Sequence, residues 1–382
     1  MSAGETAGSA IFEKDALLPW TIWNEASHEK ESKMSRRYLT AVSSLLFLEL
    51  LVVALSLTPA EAQPCQPHRA MWVYRDLDVV QNETNRADLF TFARSYGIGE
   101  LFLSVILRCP SDSPPCSIEG ATYRNALRAF LREAHDPEAG YIRVYALSGN
   151  PTLALERYHD LATGRAEAIL NFNRAGAEAE RFDGVHLDVE PHELDGREPY
   201  PDDYVRDREG TIRQYLDMNR KVVDVIESEP PDSRIDYGVD VVWFWTPFVN
   251  ESGAVDWRDD LKMDYGGIAD RYPTWHLMNI VKRVNIMGYY GAAGPKIRRA
   301  EFAMQYASEL GACASIGVQT APPSPDRPPQ TTFWGRTKQE MEEALADVQA
   351  QPSPWFGTAF ESLPSFSGFT FFRYSSYRLM PD

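Results

Sequence analysis

The most chemically loaded stretch of this 382-residue chain runs Phe182-Asp183-Gly184-Val185-His186-Leu187-Asp188-Val189-Glu190-Pro191. Apolar Val185, Leu187 and Val189 alternate with ionisable His186, Asp188 and Glu190. Side chains alternate faces along a strand, so the ionisable three share one face and the apolar ones the other. Residues two apart on a strand are ~6.6 Å apart at Cα, close enough for neighbouring carboxyls to share a hydrogen bond. Two buried carboxyls that near resist joint ionisation, so one should keep its proton toward neutral pH. Glu190, nearer the strand's end, is the expected general acid. Asp188, deeper, is expected to stay charged and stabilise positive charge developing on a substrate. His186, beneath Asp188, reads either as the group that holds Asp188 ionised or as a satisfied core histidine.

A metal site is the competing chemistry, because His186, Asp188, Glu190 and His192 form an alternating row. Six residues of extended strand span ~20 Å, so all four cannot meet one ion. His135, His159 and His276 fall in helical or loop segments rather than at other strand ends. The expectation is therefore no metal and no cofactor.

The elements that must position these residues follow from hydrophobic patterning. Eight short apolar runs occur at Ala70–Tyr74, Glu100–Ile106, Ile142–Leu147, Gly184–Glu190, Ile235–Trp243, Val284–Tyr289, Ala314–Gln319 and Gly368–Tyr374. Between them lie amphipathic stretches, among them Thr122–Ala134, Thr163–Glu180, Thr211–Glu227, Arg298–Leu310 and Lys338–Ala350. Repeated strand–helix alternation predicts a parallel sheet closed as an α/β (β/α)8 TIM barrel. A doubly wound open sheet would need a Gly-rich turn after its first strand, and Met71–Asp78 has none. In a barrel the apolar face packs outward against helices, and the ionisable row climbs the lumen toward the C-terminal rim. The Pro191–Asp207 segment is expected to wall a cleft there, and Pro322–Gln330 to rise above the seventh strand.

The predicted strand ends supply a rim of candidates. The first gives Trp72, Tyr74, Arg75 and Asp76, and the fourth gives Asp188 and Glu190. The fifth offers Asp240, Trp243 and Trp245; the sixth Asn285, Met287, Tyr289 and Tyr290. Gln319 ends the seventh, Arg373 and Tyr374 the eighth. Aromatic faces beside carboxylates and amides suit a sugar ring, which needs flat surfaces to stack on and partners for its hydroxyls. The net charge of −17 argues against nucleic acid or anionic membrane surfaces as partners. Oligomeric state stays open.

Met34-Ser-Arg-Arg, the apolar run Tyr38–Leu57 and Ala60-Glu61-Ala62 have the form of an export signal. Three segments are thus expected: an extension over 1–33, a signal peptide or anchor over 34–62, and a catalytic barrel over 63–382. The barrel is then secreted or periplasmic, unless residues 38–57 remain as a membrane anchor. Export permits disulfides. Cys109 and Cys116 bracket a Pro/Ser-rich loop and are expected to pair, leaving Cys65 and Cys313, each just before a predicted strand.

The run Asp183-Gly184-Val185-His186-Leu187-Asp188-Val189-Glu190 resembles the DGxDxDxE signature on the fourth strand of family-18 glycoside hydrolases, the chitinase group. The resemblance implies that Glu190 is the catalytic acid and that Asp188 steers a substrate's acetamido group. Val284-Asn285-Ile286-Met287-Gly288-Tyr289-Tyr290 resembles that family's sixth-strand segment, which implies that Tyr289 contacts the reacting sugar. The implied activity is hydrolysis of a glycosidic bond in a saccharide, with a non-catalytic glycan-binding barrel as the alternative. His186 stands where the signature has an inner Asp, and Tyr290 where the sixth strand has Asp. The eighth strand lacks the family's tryptophan, for which Phe371 or Trp243 is the expected substitute.

Overall fold

The computed structural model describes residues 65–110, 114–195 and 203–382. The expected extension and export signal lie outside the described residues. Eight parallel strands close into a barrel in chain order. They are β1 (His68–Val73), β2 (Ile98–Ser104), β3 (Arg143–Ser148), β4 (Gly184–Leu187), β5 (Asp236–Val242), β6 (Arg283–Met287), β7 (Cys313–Gln319) and β8 (Phe366–Phe372). Around them run α1 (Glu83–Ser95), α2 (Ala121–Ala134), α3 (His159–Arg174), α4 (Arg208–Glu227), α5 (Pro273–Ile280), α6 (Ala293–Leu310), α7 (Lys338–Ala350) and the short α8 (Tyr374–Tyr377). Every expected strand is present, although β4 stops at Leu187 rather than running on to Glu190.

Alternation along each strand sorts the side chains. Outward-facing Met71, Val73, Leu101, Leu103, Val144, Val185, Leu187, Val239, Val241, Ile286, Ile316 and Phe369 are buried. Covering such apolar side chains stabilises by roughly 1.5–3 kcal/mol each, which drives the helices onto the sheet. α7 starts where its sequence says it should. Thr337 Oγ1 accepts the Glu340 N–H, and the Glu340 carboxylate accepts the Thr337 N–H at 2.8 Å.

The lumen is polar and layered. At its lower end Arg283 holds Glu100 at 2.6 Å, and Arg143 holds Asp236 at 2.6 Å. Burial pushes the Glu100 carboxyl up, but Arg283, His68 and Arg143 together outweigh it and bring it down to about 2. Trp72, Phe102, His186, Asp240, Asn285, Ser315 and Thr370 form the next layer, all nearly enclosed. Both disulfides are formed, Cys109–Cys116 within its loop and Cys65–Cys313 across 248 residues. The second ties the chain just before β1 to the first residue of β7. Among the described residues, no helix is long and apolar enough to cross a membrane.

Candidate active site

β3, β4 and β5 run side by side, with Leu147 opposite His186 and His186 opposite Gly238. Beyond Leu187 the chain continues along β3, since the Asp188 N–H donates to the Ser148 carbonyl at 3.0 Å. It then turns at Pro191–Leu194. This close approach needs a residue without a side chain opposite, because a Cβ on Gly149 would lie 2.1 Å from the Asp188 carbonyl oxygen. Asp183, at the other end of the motif, accepts the Val144 N–H at 2.7 Å and lies 3.1 Å from His135 Nε2. It joins β3 to β4 and takes no part in the rim.

Asp188, Asp240 and Glu190 form one acid cluster at the C-terminal end of the barrel. Asp240 is enclosed, and Asn285 Nδ2 donates to its Oδ1 at 2.7 Å. His186 Nε2 stands 3.0 Å from Asp240 Oδ2, off the line of a good hydrogen bond. His186 is also stacked on Phe102, with ring centroids 3.9 Å apart. Tyr74 donates to Asp188 Oδ2 at 3.4 Å. Burial lifts the Asp188 carboxyl well above the carboxylate range, and the charges of Asp240 and Glu190 add to it. Asp188 Oδ1 and Asp240 Oδ2 are both enclosed without a hydrogen-bond donor. A proton on Asp188 directed at its carboxyl neighbour would relieve both the charge repulsion and the unmet acceptors.

Two expectations change here. Asp188 was expected to stay charged, yet it is the deeper and more enclosed position, and desolvation favours the neutral acid. Of the two readings of His186, the one that supports Asp188 gives way, since its ring stands at Asp240, 3.0 Å from Oδ2. Glu190 differs from both aspartates in access. Its side chain is 25% exposed, with His192 Nε2 3.6 Å from its Oε2, whereas Asp240 is at 0%.

Tyr289 follows β6 and lies half-buried beside the cluster. Burial raises its hydroxyl pKa well above 10, followed by the charges of Asp240, Asp188 and Glu190. It therefore stays a neutral donor. Asn285 and Asp240 were expected to touch a ligand, but both are only 1% exposed and sit one layer beneath the rim. Met287 is likewise buried. Asp76 meets Arg373 at 3.5 Å, a rim ion pair joining the ends of β1 and β8.

Several expected sugar platforms are elsewhere. Trp72 is 1% exposed and fills the lumen between Phe102 and Phe372. Trp245 comes after β5 has ended at Val242, so strand alternation no longer aims it. It packs against Tyr215, and its Nε1 donates to the Tyr204 hydroxyl at 2.9 Å. Tyr374 opens α8 and is buried on Phe92 of α1. Gln319 is enclosed, its Oε1 accepting the Ala321 N–H at 2.9 Å. Phe371 faces outward and stacks on Tyr377. Trp243 remains at the rim, with the Arg299 guanidinium 4.4 Å over its ring.

Phe372 is the aromatic that the sequence reading missed. It is half-buried, with ring centroids 5.6 Å from Tyr74 and 6.3 Å from Tyr289. Its parity with Thr370, which meets Ser315 in the lumen, was the available signal. The expected wall after Glu190 is described only in part. Asp195, Tyr204, Val205 and Arg208 line a cavity of about 480 Å³ beside α4 that contains none of the acid cluster. The loop after β7 folds back, Thr332 Oγ1 donating to the Ala321 carbonyl at 2.8 Å.

No protein-family model matches the chain, and no curated protein does. Solved structures that it is similar to include a GH18 chitinase from Pseudoalteromonas aurantia, at 10% identity and TM-score 0.43, covering 81% of this chain and 94% of that one. A tamarind chitinase-like lectin matches at 10% identity and TM-score 0.46, over 82% of this chain and 96% of its own. A chitinase from Rhizomucor miehei matches at 13% identity and TM-score 0.40, over 81% and 95%. At such identities these structures assign no residue its role.

Proposed function

We propose that this chain is a glycoside hydrolase of the family-18 type, cleaving a saccharide that carries 2-acetamido groups. One observation carries the reading: three carboxyls converge at the C-terminal end of a closed barrel, one held neutral, one enclosed and anchored, one open to a ligand. Glu190 gives its proton to the leaving glycosidic oxygen as the bond to the anomeric carbon breaks. The acetamido carbonyl oxygen attacks that carbon, and positive charge gathers at the amide N–H. The Asp188 carboxyl oxygen accepts a hydrogen bond from that N–H and stabilises the charge. Water later attacks the anomeric carbon and returns a proton to Glu190.

A plain sugar would need a second accessible carboxylate. Asp240 is enclosed and Asp76 is paired with Arg373, which supports assistance by the substrate instead. Tyr74 and Tyr289 are neutral donors beside Asp188, and Phe372 is the ring best placed to floor the sugar. Extracytoplasmic location is part of the proposal and is supported by the two disulfides. A glycan-binding barrel without turnover is the second reading. It is favoured by His186, which puts an imidazole where the signature has a carboxyl. Incubating the protein and its Glu190→Gln variant with acetamido and plain oligosaccharides separates the two. Cleavage of the acetamido set by the unmodified protein alone supports the enzyme; equal binding by both without cleavage supports the lectin-like barrel.

A further inference from the structure

α6 carries two cations that the reaction above does not use. Lys296 is 0% exposed, and its Nζ donates to the Gly317 carbonyl at 2.8 Å. Arg299, one turn on, donates from Nη1 to the Tyr289 carbonyl at 2.6 Å. Its guanidinium is also held between rings, 4.4 Å from the Trp243 centroid and 4.9 Å from that of Tyr290. Enclosing an ammonium against a backbone carbonyl is costly, and an apolar side chain would pack α6 on the barrel at less expense. Burial, then the Arg299 charge, draws Lys296 down to about 7.

What the two cations hold explains their placement. A Cβ on Gly317 would lie 2.7 Å from Tyr289 Cε1 and 3.2 Å from the Ile286 carbonyl oxygen. The Tyr289 ring therefore rests on the Gly317 backbone, whose carbonyl Lys296 grips. Arg299 grips the carbonyl of Tyr289 itself. We propose that Lys296 and Arg299 are positioning residues, a two-point clamp through which α6 sets the Tyr289 hydroxyl at the acid cluster. The proposal rests on the hydrolase reading for its effect on turnover, but the clamp itself is measurable without turnover.

The test is a double-mutant cycle. Lys296→Met keeps the stem and removes the donor, and Tyr289→Phe removes the hydroxyl. With Tyr289 present, Lys296→Met should lower kcat by about ten- to a hundredfold, as misplacement by a fraction of an ångström to an ångström does, with little change in KM. In the Tyr289→Phe background it should change kcat by less than about twofold. Arg299→Lys, which keeps the charge but loses the fork, should behave the same way and serves if Lys296→Met does not fold. Equal losses in both backgrounds would mean that α6 matters only for packing, and would overturn the clamp. The second readout is NMR of protein labelled at tyrosine Cζ, with the Tyr289 signal identified by its loss in Tyr289→Phe. Lys296→Met should shift or broaden that signal, and an unmoved signal overturns the clamp whether or not the protein cleaves sugar. A shifted signal in a protein without turnover keeps the clamp and overturns the hydrolase reading alone.

Discussion

Replacing Asp188 by Asn should flatten the pH dependence of stability, because the native fold holds a proton there that the unfolded chain releases. The folded carboxyl is raised by burial and by the charges of Asp240 and Glu190. An unfolded Asp titrates near 3.9, so above that pH the folded chain binds one proton more at this position. Each pH unit between the unfolded and folded values then removes ~1.4 kcal/mol from the contribution of Asp188 to stability. The contribution is complete below pH ~4 and is lost as pH rises through the folded value. Asn supplies an N–H donor toward Asp240 without titrating. As pH rises from 5 toward 7 the unmodified protein should therefore lose stability relative to Asp188→Asn. Urea unfolding of both proteins at half-unit pH intervals measures this difference, and titrating groups outside the acid cluster cancel to first order. Parallel stability profiles over that range would refute the shared-proton account of the cluster.

Three other outcomes follow from the same packing. Arg283→Met leaves Glu100 enclosed beside a weakened partner set and should cost ~3–5 kcal/mol at neutral pH. Glu100 is lowered to about 2, so the stability it confers is present above the unfolded value near 4.3 and is lost as pH falls toward 2. Melts at pH 7 and pH 3.5 should accordingly show the variant's deficit shrinking in acid. Replacing Cys65 and Cys313 by Ser opens a 248-residue loop and should cost ~2–5 kcal/mol, read by denaturant midpoints with activity retained in the folded fraction. Trp72→Phe should lower stability by ~1–3 kcal/mol and leave glycan affinity unchanged, whereas Phe372→Ala should weaken glycan affinity by ~1–2 kcal/mol in calorimetry.

The barrel was legible because its strands are short, apolar on one face and separated by amphipathic segments. The Cys109–Cys116 bridge was legible from the short Pro/Ser-rich loop it closes, whereas the Cys65–Cys313 pairing was left open by the sequence. Depth was not legible. Residues 186, 188 and 190 read as one row, but solvent reaches Glu190 while Asp240, from the next strand, closes over the inner end. Only register across β4, β5 and β6 shows that Asp240 and Asn285 are partners beneath Asp188. Two of the aromatic errors share one cause. Alternation was extended past the true strand ends, so Trp245 and Tyr374 were aimed at the rim although β5 stops at Val242 and β8 at Phe372. Trp72 lies within β1, and there the parity was right but the level was too low to meet a ligand.

The central claim is that Glu190 donates the proton that breaks a glycosidic bond. The most direct measurement is product formation from an acetamido oligosaccharide, followed by mass spectrometry, for the unmodified protein beside Glu190→Gln, with sugar affinity measured on both. The account predicts cleavage by the first, a loss of at least about 10²-fold by the second, and similar affinities. Equal cleavage by both proteins, or glycan binding by both with no cleavage by either, would contradict it.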